Sequence, residues 1–223
     1  AQDLADAGLK TLNVSIDAID PDRFKAITRG GLVEPVLRGI EAARATGMEV
    51  KLNTVALNDF TMDDAIALIE YAREHDLETR FIEFMPLCGT GWKQDEFRPL
   101  TGLREALTML YDLQPLPTDG GVAELYRIGN GPGRVGFIAS LSANFCGACS
   151  RIRLTANGIL RPCLFSQIGV DLRPLLLNDR ADDELKRAFH EAVLNKPEGH
   201  GLKPENDWAG GETVSSWIRS TGG

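Results

Sequence analysis

Three runs rich in β-branched residues, at 11–17, 49–57 and 78–85, alternate with stretches of helical spacing. This alternation limits the fold more than any other feature of the chain. Residues 2–9 read as a short helix ending near Gly8. Val33, Val36, Leu37, Ile40 and Ala43 recur at helical intervals over 33–46, and Gly47 closes that helix. Ile66, Ile69 and Ala72 share one face of a helix over 65–75, and Thr61 with Asp64 before it resembles a capping box. Residues 20–31 read as loop with a helical turn, and Pro86 ends the third strand. Strands separated by covering helices pair in parallel. Three such strands make an incomplete sheet, and the chain opens on a helix. The reading is therefore α/β, with residues 1–90 forming the second half of a partial βα barrel.

Beyond residue 91 the pattern changes to a C-terminal α+β domain over 91–223. A helix is expected over 101–113 with Thr101 as its N-cap, then strands at 124–128 and 135–140 around a Gly/Pro turn. Residues 151–164 read as a hairpin turning at Asn157-Gly158, a strong two-residue turn signal. A helix over 182–194 carries acidic residues in its first turn, where they complement the helix dipole. Residues 196–223 are polar and glycine-rich and read as a tail.

Three of the four cysteines, Cys146, Cys149 and Cys163, fall close together, while Cys88 stands apart as a structural or incidental thiol. That clustering suits metal binding better than a disulfide scaffold. Cys146-Gly-Ala-Cys149 puts two thiols within reach of one centre, and the hairpin returns Cys163 to the same end. Three thiolates at one point need a neutralising cation. A cubane iron–sulfur cluster with one iron left open is one solution. A zinc ion with a fourth ligand elsewhere is another, since structural zinc takes four; inert buried thiols are a third. His75, His190 and His200 offer no obvious fourth ligand. Arg151 and Arg153 alternate just after Cys149, so both project from one strand face. Two guanidiniums there suit a triphosphate, although such a pair can also be a solvated hairpin face.

Composition narrows the setting. Hydrophobic residues make up 43% and charged residues 25% of the chain, a soluble globular balance. No apolar run approaches the ~18–20 residues of a membrane span, and no secretory leader is seen. A net charge of −8 argues against nucleic acid as a partner. A cytoplasmic protein without a membrane or nucleic-acid partner is expected.

The run Phe145-Cys-Gly-Ala-Cys-Ser-Arg-Ile-Arg-Leu-Thr-Ala-Asn-Gly-Ile-Leu-Arg-Pro-Cys-Leu-Phe165 resembles the C-terminal cluster motif of the molybdenum cofactor biosynthesis protein A family. The resemblance continues, in order, through 12–17, 51–55, 80–86, 135–138 and 196–200. Members are radical S-adenosylmethionine enzymes with a TIM-like partial barrel. They convert GTP to 3′,8-cyclo-7,8-dihydro-GTP for molybdopterin synthesis. The resemblance implies that Cys146, Cys149 and Cys163 ligate a C-terminal [4Fe-4S] cluster. It places Arg80, Arg151 and Arg153 on GTP, and Ser15, Lys51 and Met85 on S-adenosylmethionine. Such positions, near the C-terminal ends of strands, carry active sites in βα barrels. A terminal Gly222-Gly223 resembles the family's tail that reaches the active site, and a homodimer is in keeping with the family.

A second [4Fe-4S] cluster, on a CxxxCxxC motif, cleaves S-adenosylmethionine in this family. No such run occurs in this sequence. The chain matches the later part of a family member, so it is expected not to cleave S-adenosylmethionine alone. A non-catalytic nucleotide- and metal-binding module, or a related radical enzyme with another substrate, are the competing readings.

Overall fold

The computed structural model describes residues 1–86, 93–117, 121–143, 145–166, 168–176 and 182–200. The chain divides into two units, Ala1–Phe84 with Glu96–Ala143, and Met85–Asp95 with Asn144–Gly223.

The first unit runs α1 (Gln2–Asp6), β1 (Thr11–Ser15), α2 (Pro21–Ile27), α3 (Val33–Ala45), β2 (Glu49–Ala56), α4 (Met62–Glu74), β3 (Glu78–Glu83), α5 (Leu100–Leu110), β4 (Leu113–Pro115), β5 (Glu124–Ile128) and β6 (Arg134–Ile138). One sheet contains all its strands, in the order β1-β2-β3-β6-β5-β4. β1, β2, β3 and β6 are parallel, and β5 lies antiparallel between β6 and β4. The alternation in the sequence thus gave the parallel strands correctly. The strands expected in a second domain instead extend this first sheet, so the α/β character reaches further along the chain than residue 90.

Local chemistry accounts for several element ends. Thr61 Oγ1 accepts from the Asp64 N–H at 3.1 Å, and the Asp64 carboxylate accepts from the Thr61 N–H at 2.8 Å, completing the capping box of α4. Residues 20–31, read as loop with a helical turn, contain the longer helix α2, because Asp20 caps it through the Arg23 N–H at 2.8 Å and Pro21 supplies its first turn. Gly47 leaves α3 at φ +82°, a conformation that favours glycine. α5 is shifted from its expected place: Pro99, not Thr101, is its N-cap residue, and it stops at Leu110. Leu113 leaves the helical pattern because it pairs with Ile128 in the sheet.

Burial alternates strictly along β2, with Val50, Leu52, Thr54 and Ala56 buried. With Phe81, Val135 and Phe137, Val50, Leu52 and Ala56 meet Ile40, Ala65, Leu68, Ile69, Leu103 and Leu107 in one core. Each fully buried Leu, Ile or Phe contributes about 1.5–3 kcal/mol of transfer free energy.

The second unit is built on a smaller sheet, β7 (Arg153–Leu154), β8 (Ile159–Arg161) and β9 (Val170–Asp171), followed by α6 (Arg173–Leu176) and α7 (Asp182–Leu194). The expected hairpin is present, with Arg153 opposite Arg161. Its turn is longer than two residues: the Thr155 N–H bonds Ile159 O and the Gly158 N–H bonds Thr155 O, with Gly158 at φ +80°. Among the described residues, Leu160, Leu172, Ala188 and Ala192 form its apolar core cluster. Among the described residues no helix is long and apolar enough to cross a membrane.

Candidate functional site

The sheet of the first unit has one face sunk in the core and one less buried face that carries two polar rows and then Val55, Ile82 and Ile138. In-register partners share a face. Ser15, Asn53, Arg80 and Gly136 therefore form one row across β1, β2, β3 and β6. Asn13, Lys51, Glu78 and Arg134 form the row before it. The sequence-derived residues Ser15, Lys51 and Arg80 thus stand on the same polar face.

Acids anchor the cations there. Glu78, 3% exposed, binds Arg80 at 2.5 Å and Arg134 at 3.2 Å, and Glu49 reaches Lys51 at 3.3 Å and Arg134 at 3.6 Å. The Lys51 and Arg80 side chains are only 14% and 18% exposed. Gly136 leaves room for this arrangement, since a Cβ there would come within 3.2 Å of Arg80 Cγ and 3.0 Å of Leu125 Cδ2.

Two residues on this face went unnoticed in the sequence except as letters inside longer motifs. Asn53 Oδ1 is shut off from solvent and has no hydrogen-bond partner among the described residues. Such an orphaned acceptor is costly unless something completes it. Asp17 accepts from the Val55 N–H at 3.0 Å. Burial pushes its carboxyl above the usual range, partly offset by that bond. Neither carried a periodic or spacing signal that would have singled it out.

Glu83, the last residue of β3, lies on the opposite, buried face. Its carboxylate accepts from the backbone N–H groups of Leu100 at 3.1 Å, Leu141 at 2.7 Å and Ser142 at 3.0 Å, and from the Ser142 hydroxyl. Leu100 opens α5, so the carboxylate also meets the positive end of a helix. Glu83 therefore pins the start of α5 and the chain leaving β6 to the end of β3.

In the second unit, Cys146 opens a single 3₁₀ turn over Cys146–Ala148, with the Cys149 N–H on Cys146 O at 3.1 Å. Cys163 follows β8, and the Phe165 N–H approaches its sulfur at 3.4 Å. All three cysteines are free and half-buried. Among the described residues no three Cys, His, Asp or Glu side chains gather tightly enough to hold a metal ion.

Arg153 is half-buried and its charge is felt by both Cys149 and Cys163. Burial lowers its affinity for its proton, the neighbouring Arg151 lowers it further, and the two cysteines oppose both effects. Neither Arg151 nor Arg153 has a carboxylate partner among the described residues. Arg151 precedes β7 rather than lying in it. Lys196, read from the sequence as the start of a loose tail, bonds instead to Cys149 and Arg151. Met85 lies two residues past β3 and is half-buried. Cys88, Gly222 and Gly223 lie outside the described residues.

Residues 77–202 match the Molybdenum Cofactor Synthesis C family model, and residues 1–92 match the Radical SAM superfamily model. The GTP 3′,8-cyclase of Paracoccus denitrificans is 39% identical over 226 residues, which take in 100% of this chain and 65% of that relative. Those of Brucella ovis and Nitrobacter winogradskyi are each 39% identical over 202 residues, 90% of this chain and 59% of theirs. The chain thus spans 59% to 65% of the length of these curated relatives.

Proposed function

Because the chain belongs to the Molybdenum Cofactor Synthesis C family and carries a radical SAM segment, we propose that it is the GTP-holding portion of a GTP 3′,8-cyclase. The observation that carries this reading is the Arg151/Arg153 pair. Arg153 gives up solvent, sits beside a second guanidinium and two cysteines, and finds no acid among the described residues. Such a site is completed by a polyanion, and a guanidinium fork fits phosphate oxygens bidentately.

The donor set fits a [4Fe-4S] cluster at Cys146, Cys149 and Cys163. All three thiols are free, two of them receive hydrogen bonds at sulfur, and thiolates that bind separate irons need not converge on one point as zinc ligands must. When bound, the cluster offers one iron without a cysteine as an open position for the nucleotide. The chain's own residues do the rest of the positioning. Arg151 and Arg153 neutralise phosphate charge. On the polar face of the parallel sheet, read here as part of a partial barrel, Lys51 and Arg80 offer cations to the anionic groups of S-adenosylmethionine or GTP. Ser15 and the orphaned Asn53 offer hydrogen bonds to the same ligands, and Met85 an apolar contact. The sequence has no CxxxCxxC run, so the radical-generating step is assigned to none of these residues.

The test is an anaerobic reconstitution of the chain with iron and sulfide, followed by titration with GTP and with guanosine. One cluster per chain is expected, with GTP bound at least tenfold more tightly than guanosine, as loss of charge-assisted bonds worth about 1.5–3 kcal/mol each would dictate. Arg153→Ala is expected to erase that preference. Zinc without iron or sulfide, or equal affinity for both ligands, overturns the reading.

A further inference from the structure

We infer that Lys196 is a positioning and charge-tuning residue for the cysteine site, acting through the sulfur of Cys149. Its ammonium carries three hydrogens, and three acceptors meet it: Cys149 O at 2.5 Å, Arg151 O at 2.8 Å and Cys149 Sγ at 3.4 Å. Two of these bonds clamp the backbone on either side of Ser150, fixing the path from the second cysteine to the first arginine. The third brings the positive charge against the Cys149 sulfur.

The geometry is delivered from a distance in sequence. Lys196 lies just past the end of α7, whose Ala188 and Ala192 pack on Leu160 and Leu172. The Asn195 and Lys196 N–H groups bond back to Glu191 O and Val193 O, continuing the helix end. The helix C-terminus favours a cation at this place. A packed helix therefore holds the ammonium against the loop, and no carboxylate among the described residues competes for it.

A neutral thiol is a weak acceptor, so the third bond gains most when the sulfur carries negative charge. Hydrogen bonds to ligand sulfurs and nearby charge are among the quantities that set the potential of an iron–sulfur centre. A cation that stabilises added electron density raises that potential. Lys196 thus does two separable things: it fixes the Cys149–Arg151 backbone, and it makes the centre easier to reduce.

This inference rests on the cluster reading above, and the experiment separates the two. The full chain, Lys196→Met and Lys196→Arg are reconstituted anaerobically, and iron, sulfide and midpoint potential are measured on each. Lys196→Met is expected to lower the potential by roughly a tenfold change in the reduction equilibrium, about 59 mV for a one-electron couple. Lys196→Arg, which keeps the charge, is expected to recover most of the shift. If Lys196→Met loads no cluster, Lys196→Gln, a neutral donor, takes its place in the comparison. An unchanged potential in the neutral variant overturns the inference and leaves Lys196 a backbone brace. A parent chain that takes up no iron or sulfide overturns the cluster reading instead.

Discussion

The two units carry their chemistry on very different supports. In the first, Ser15, Asn53, Lys51 and Arg80 stand on strands whose reverse face is sunk in a core running from Ile16 to Ala139. In the second, the cysteines sit on a single 3₁₀ turn and a strand end, and the apolar core cluster among the described residues is Leu160, Leu172, Ala188 and Ala192. A large core holds polar side chains in place without help from a ligand. A small one is marginal, and small domains commonly rely on a metal to complete their stability. The lesson is that the sheet unit holds its polar side chains on a large core of its own, whereas the cysteines rest on a turn and a strand end with a small described core behind them.

Truncating the same residue type in each core tests this most strongly. Leu52→Ala and Leu160→Ala each remove a fully buried side chain, at a cost of about 2–5 kcal/mol. Leu160→Ala is expected to open the second unit and abolish iron retention, whereas Leu52→Ala lowers the unfolding midpoint but keeps the metal. Segment-resolved hydrogen exchange with an iron count reads both. Equal iron retention in the two variants breaks the comparison.

A smaller effect is expected at the pin that ties the sheet unit together. Glu83→Gln leaves at least one of the Leu100, Leu141 and Ser142 N–H groups without its acceptor, for a loss of about 1–3 kcal/mol. Urea denaturation of the variant measures it, and no change would mean that water replaces the carboxylate without cost.

The smallest effect lies at alkaline pH. Burial, with help from Glu70, pushes the Tyr111 hydroxyl up from 10.0 to about 12, and its O–H donates to Glu70 at 2.7 Å. The folded chain keeps this proton after the unfolded chain has lost it. The stabilisation is therefore complete below pH 10 and disappears as pH rises through about 12. Tyr111→Phe is expected to flatten the decline of stability across that window. An identical slope in the variant removes Tyr111 from the account.

Local signals were legible where local chemistry decides. The capping box at Thr61 and Asp64 and the stop at Gly47 follow from neighbouring residues, and each is where the sequence put it. Leu113 was misplaced because its helical spacing was outweighed by pairing with Ile128, a partner supplied by a later strand. The cysteine spacing was legible, but its geometry was not, because Lys196 and Cys149 are brought together by the docking of α7 on β8.

By itself, then, the sequence determined the alternation of the first three strands with their helices, the cysteine spacing and the adjacent arginines, since these depend on periodicity, turn chemistry and spacing along the chain. Only the tertiary structure decided that β4, β5 and β6 complete the first sheet, that Asn53 Oδ1 has no hydrogen-bond partner among the described residues, and that Glu83 and Lys196 hold distant backbone. Those outcomes follow from which elements pack together, and a residue's partner across a sheet or a helix end carries no mark in its own neighbourhood.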